Sequence, residues 1–128
     1  MTGVVLDTSA LLALIRAEPG ADKVAVRRRD AIMSVVNFAE TVGVLIRTGA
    51  THDDATRKVA ALVPRVIDAT LSHASEAAAL VPQTSAAGLS LGDRFCLALA
   101  RAEGFPVLTA DRAWSGLKLD GIEIELIR

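Results

Sequence analysis

Tyrosine is absent from this 128-residue chain, and one tryptophan and three phenylalanines are its only other aromatic side chains. That scarcity excludes a base-stacking platform of the kind used by RRM sheets and single-strand-binding grooves. Cysteine occurs once, as Cys96, so no internal disulfide can form; this agrees with a reducing compartment and with a small residue packed in the core. Although 52% of the residues are hydrophobic, no apolar run approaches the roughly 18 residues that a membrane span needs. No basic region precedes the first apolar stretch, and Asp7-Thr8-Ser9 breaks it, so it does not read as a signal peptide. The expectations are cytoplasmic residence and, at this length, a single domain over residues 1–128.

A charge excess of either sign is missing too. Fourteen Lys and Arg face 15 Asp and Glu, for a net charge of −1, so there is no global basic field to drive nucleic-acid binding. A local patch is still open. If four of the acids gather in one site and a metal neutralises them, the remaining surface is net basic, with Arg27-Arg28-Arg29, Arg94, Arg101 and Arg112 available. Nucleic acid would then be held mainly by its backbone, with Arg112 a candidate phosphate contact.

What the chain has is a series of short apolar runs alternating with helical patterns. Residues 3–6 read as a strand, and Thr8 or Ser9 can cap a helix over Ala10 to Arg16. A short helix from Ala21 to Arg28 and a strand at Ala31-Ile32-Met33 follow. Val35, Phe38, Ala39, Val42, Leu45 and Ile46 then form a helical stripe that stops at Gly49, with Glu40 beside the stripe and Gly43 leaving room next to its carboxylate. Thr51 and Asp54 predict a capped helix running to Pro64, and Val66-Ile67 a short strand. Ser72 to Val81 reads as helix and Pro82 to Gly88 as a connection. Ser90-Leu91-Gly92-Asp93 is a capping box that opens a helix ending at Gly104. The last strands are Val107-Leu108-Thr109 and Ile122 to Leu126, the latter with Glu123 and Glu125 on its wet face. This alternation predicts an α/β domain with a mainly parallel sheet of four to five strands, whose site lies at the carboxyl ends of the strands.

Four acids fall at that rim. Asp7 and Asp111 follow strands, Asp93 starts a helix, and Glu40 projects from a helix that follows a strand. Charged groups near an apolar core are costly unless compensated, and convergent carboxylates raise one another's pKa until a cation relieves them. Oxygen donors with no His or Cys cluster favour Mg²⁺ or Mn²⁺ over zinc. One or two such ions activate water for in-line attack at phosphorus, so phosphodiester hydrolysis is the expected chemistry. Thr8, Ser9 and Thr109 supply hydroxyls beside the acids.

The motifs Val5-Leu6-Asp7-Thr8-Ser9-Ala10, Ser34 through Asn37 to Glu40, Leu89-Ser90-Leu91-Gly92-Asp93-Arg94 and Leu108-Thr109-Ala110-Asp111-Arg112 resemble those of the PIN-domain ribonucleases. Within that family, they resemble the VapC-like toxins of bacterial toxin-antitoxin systems. The resemblance implies a three-layer α/β/α PIN fold, Mg²⁺-dependent endoribonuclease activity and neutralisation by a small antitoxin. It makes Asp7 and Asp93 the main metal ligands, Glu40 and Asp111 the accompanying acids, and Thr109 a supporting hydroxyl. For Asn37 it sets no expectation.

Taken singly, the acids have plainer roles. Asp7 and Asp93 would cap helices, Glu40 would be solvated, and Asp111 would sit in a turn. Arg27-Arg28-Arg29 reads as a solvated helix end, His52 and His73 as surface residues, and Trp114 as a cover for the core under the Asp111 loop. Two other functions compete: a housekeeping RNA-processing nuclease of the same fold, and a phospho-acceptor module. The latter needs a second acid beside Asp7 and a lysine after a late strand, which this chain lacks. The high apolar fraction further predicts a homodimer.

Overall fold

Val4, Val5 and Leu6 are fully buried on both faces, which a parallel strand achieves only in the middle of a sheet. They form the central strand β1 (Val4–Leu6) in the computed structural model, which describes residues 3–128. On one side β1 pairs with β2 (Ala31–Ser34), which pairs with β3 (Arg65–Ile67); on the other it pairs with β4 (Val107–Thr109), which pairs with β5 (Ile124–Leu126). The order is β3-β2-β1-β4-β5, and every pairing is parallel.

Alternate strand residues feed two cores. Val4, Leu6, Ala31, Met33 and Leu108 pack with α1 (Thr8–Ile15), α2 (Ala21–Arg27), α3 (Val35–Arg47) and α4 (His52–Leu62). Val5, Ile32 and Val107 face the opposite layer, which holds α7 (Leu91–Glu103) together with Leu80, at the end of α5 (Leu71–Ala79), and Trp114. The expected three-layer α/β/α arrangement is therefore present, with five strands. Cys96 and Trp114 are buried in the second core, as expected. No helix among the described residues is long and apolar enough to cross a membrane.

Local departures from the sequence reading have physical reasons. Of the three residues expected as possible caps of α1, Asp7 takes the place and Thr8 and Ser9 do not, because the Asp7 carboxylate reaches the Ala10 N–H. In α3 the buried residues are Asn37, Thr41, Val42 and Leu45, while Ala39 and Ile46 are exposed. This helix packs against both α1 and α7, so its buried face is turned towards the seam between the layers. The stretch expected to be a connection holds α6 (Val81–Thr84), with Pro82 in a first turn where its missing N–H costs nothing. Ile122 drops out of the last strand because Gly121, at φ +75°, turns the chain so that Ile122 pairs back with Leu119.

After β1 the chain moves to β2 and β3, and it later returns to the other side of β1 as β4. The carboxyl ends of β1 and β4 therefore flank the point where strand order reverses, where α/β sheets open a crevice.

Candidate active site

Asp7 leaves the end of β1 and is only 2% exposed. Its Oδ1 accepts from the Ala10 N–H at 2.8 Å, and its Oδ2 accepts from the Thr109 hydroxyl at 2.5 Å. Ser9 Oγ lies 2.8 and 2.9 Å from the two oxygens. Ser9 and Thr109 in turn accept the N–H groups of Ala110 (2.9 Å) and Asp111 (3.0 Å). Each hydroxyl has one hydrogen, and the backbone donors leave it aimed at Asp7. The end of β4 is thus bolted to the end of β1 through one carboxylate. Burial nonetheless dominates and pushes the Asp7 pKa up to about 6, against the pull of the Thr109, Ala10 and Ser9 hydrogen bonds.

Asp93 stands in the first turn of α7, in the predicted capping box. Its Oδ2 accepts from the Ser90 N–H at 2.8 Å, and its own N–H donates to Ser90 Oγ at 3.1 Å. Burial raises its pKa, the Ser90 bonds lower it, and the Glu40 and Asp111 charges raise it further. The capping role and a place in the site thus coexist in one residue.

Glu40 is held from two helices. Its Oε1 accepts from Thr8 Oγ1 at 3.0 Å and from Asn37 Nδ2 at 2.9 Å. The Asn37 amide also donates to the Gly92 carbonyl of α7 at 3.2 Å, and the side chain is fully buried. Both of its partners are acceptors, so the amide group cannot be flipped without losing them, and its Oδ1 remains without a partner. Asn37→Ala should therefore cost about 1–3 kcal/mol in a denaturant melt and free the Glu40 carboxylate.

Room for that carboxylate comes from Gly92 and not, as expected, from Gly43. A Cβ on Gly92 would collide with the Glu40 carboxylate, whereas a Cβ on Gly43 would meet only Arg47 Nη1, at 3.9 Å.

Asp111 is exposed and caps the 3-10 turn Arg112–Gly116, accepting from the Ala113 N–H at 2.9 Å. Asp7, Glu40, Asp93 and Asp111 all line one open cleft of about 310 Å³, together with Thr8, Ser9, Leu12, Val44 and Arg47. Thr109 lies beneath it, fully buried. Arg112, a candidate phosphate contact from sequence, does not line this cleft, and its Nη1 donates to the Arg128 carbonyl at 2.8 Å. Arg27 pairs with Glu125 at 3.4 Å, also away from the cleft.

Asn37, Gly92 and Arg47 had no assigned part in the site from sequence. Spacing carried a signal for two of them: Asn37 lies three residues before Glu40 and Arg47 seven after it, both on one helix face. For Gly92, the only sign is a glycine in a first helical turn where no special backbone angle calls for one.

The donor set fits a hard divalent cation. It consists of carboxylate and hydroxyl oxygens, and burial and mutual repulsion disfavour the charges of Asp7 and Asp93 in the metal-free protein. Among the described residues no three His, Cys, Asp or Glu side chains stand close enough together to hold a metal ion between them, so a cation here would rest on fewer protein ligands and on water. An open set of this kind suits Mg²⁺, which keeps several of its waters.

The family model described as "PIN domain" matches residues 4–118. No curated protein sequence matches the chain. Among solved structures, it is similar to the Mycobacterium tuberculosis toxin VapC20, described as cleaving the sarcin-ricin loop. That match has a TM-score of 0.73 and 21% identity, over 91% of this chain and 97% of the other. The corresponding values for VapBC-5 of the same organism are 0.67, 23%, 97% and 98%. For a DNA-bound VapBC complex of Salmonella typhimurium they are 0.70, 15%, 100% and 100%. Identities this low speak for the fold, while the family match covers most of the sequence: the chain belongs to the PIN domain family.

Proposed function

We propose that this protein is a VapC-type toxin, an endoribonuclease that depends on Mg²⁺ or Mn²⁺ and is silenced by a small cognate antitoxin. The observation that carries the reading is the convergence of Asp7, Glu40, Asp93 and Asp111 on one cleft at the β1/β4 switch point of a PIN sheet. Asp7 and Asp93 would hold the cation, with Asp111 completing the pocket and Glu40 acting through water. The bound cation would supply charge to activate water and to stabilise the oxygens of an in-line displacement at phosphorus. Ser9 and Thr109 hold Asp7 in place, Asn37 and Thr8 hold Glu40, and the Ser90 cap fixes Asp93.

The antitoxin reading is supported by the VapBC complexes among the structural neighbours. A homodimer is the expected assembly on the ground of the high apolar fraction of the chain, and sedimentation at micromolar concentration tests it, a monomer alone counting against it. The phospho-acceptor alternative gains nothing from the cleft, where Thr8 and not a second acid follows Asp7.

The test is incubation of the purified protein with structured cellular RNA. Cleavage is expected with Mg²⁺ or Mn²⁺ and should stop with chelator; RNA left intact under every metal condition refutes the reading. Growth arrest on expression, relieved by a partner encoded beside the gene, is the result expected of a toxin rather than a housekeeping nuclease.

A further inference from the structure

We infer that Arg47 binds an RNA phosphate adjacent to the scissile one, on the α3 wall of the cleft. This rests on the nuclease reading above and names a residue through which the chain would grip its substrate.

A cleft lined by four carboxylates repels a polyanion, and a cation on its floor relieves only the local repulsion. Among the described residues, Arg47 is the one basic side chain that lines this cleft. Its guanidinium forms no ion pair or hydrogen bond with any described residue, unlike Arg27, Arg57, Arg101 and Arg128, which each pair with an acid. Five N–H donors thus stand free beside a candidate phosphodiester site.

The direction of the side chain locates the phosphate. Arg47 Nη1 lies 3.9 Å from where a Cβ on Gly43 would be, so the side chain runs back along α3 towards Glu40, over the groove that the glycine leaves. Gly43 is three residues beyond Glu40, or roughly 5 Å along the helix axis. That offset sets the guanidinium beside the acids and not over them, where a neighbouring phosphate of the strand lies. Val44 on the same helix and Leu12 on α1, which also line the cleft, offer an apolar rest for the sugar between the two phosphates.

The experiment compares Arg47→Ala and Arg47→Lys with Arg57→Ala, a control that removes the same charge from an exposed pair with Asp53 and Asp54. The readouts are KM and kcat on a short fluorescein-labelled RNA with Mg²⁺, and anisotropy of the same RNA on an Asp93→Asn background over a salt series. Arg47→Ala is expected to raise KM about tenfold with kcat within about twofold, and to flatten the salt dependence by about one phosphate contact. Arg47→Lys should recover the salt dependence but only part of the affinity, while Arg57→Ala should match the wild type. RNA cut by the wild type at a KM that Arg47→Ala leaves unchanged, or changes no more than Arg57→Ala does, overturns this inference alone. RNA left uncut by the wild type refutes the nuclease reading and takes this inference with it.

Discussion

Asp7→Asn is expected to abolish RNA cleavage while making the metal-free protein more stable. The loss should reach roughly 10³-fold or more, because the substitution removes the charge of the side chain proposed to bind the cation most directly. The stability gain follows from burial. The native pKa of Asp7 is raised from 3.8 to about 6, so the native state favours the protonated acid. Its contribution to stability is therefore complete below pH 3.8 and is lost as pH rises through 6. Near neutral pH, the ionised carboxylate costs roughly 3 kcal/mol relative to that limit. An asparagine keeps the shape and never ionises, and the spare lone pairs of Ser9 and Thr109 can accept its new N–H donors. Thermal melts in chelator at pH 7.5 should place the variant higher than the wild type, by on the order of 10 °C, and the difference should shrink towards pH 5. A variant that melts below the wild type at pH 7.5 would show that Asp7 is there to build the fold, not to serve the site.

Gly92→Ala should separate activity from stability in a different way. The added methyl group collides with the Glu40 carboxylate, the movable end of a side chain, so the fold need only release Glu40 from Thr8 and Asn37. Replacing a helical glycine by alanine returns about 0.5–1 kcal/mol, which offsets much of that loss. The expected result is a melt within a few degrees of the wild type and a kcat lowered about 100-fold by misplacement of a site carboxylate. The wild-type rate in Gly92→Ala would mean that Glu40 takes no part in the reaction. The pair Gly92 and Asn37 thereby gives the α3–α7 seam a purpose: it fixes the one carboxylate that no strand end or helix cap positions.

Reading the strands and the rim from sequence worked where one local rule dominated. Val4–Leu6 and Val107–Thr109 are short apolar runs buried on both faces, and the Ser90–Asp93 box caps α7 as its spacing predicts. Reading failed where a residue answers to two neighbours at once. The buried face of α3 includes Asn37 and Thr41 because the helix meets both α1 and α7, and periodicity alone cannot show a second partner. The same blindness assigned Gly43 to Glu40, although the glycine that makes room for it lies 52 positions away in sequence.

Calorimetric titration of Mn²⁺ into the metal-free protein tests most directly whether Asp7 and Asp93, in the cleft they share with Glu40 and Asp111, hold a divalent cation. Run at pH 6 and pH 8 in buffers of different ionisation enthalpy, the titration should show saturable binding at both values. A fraction of a proton should be released per ion at pH 6, where Asp7 is part protonated, and almost none at pH 8. Asp7→Asn should weaken the binding and lessen that proton release. Absence of saturable binding, or binding unaffected by Asp7→Asn, would contradict the account.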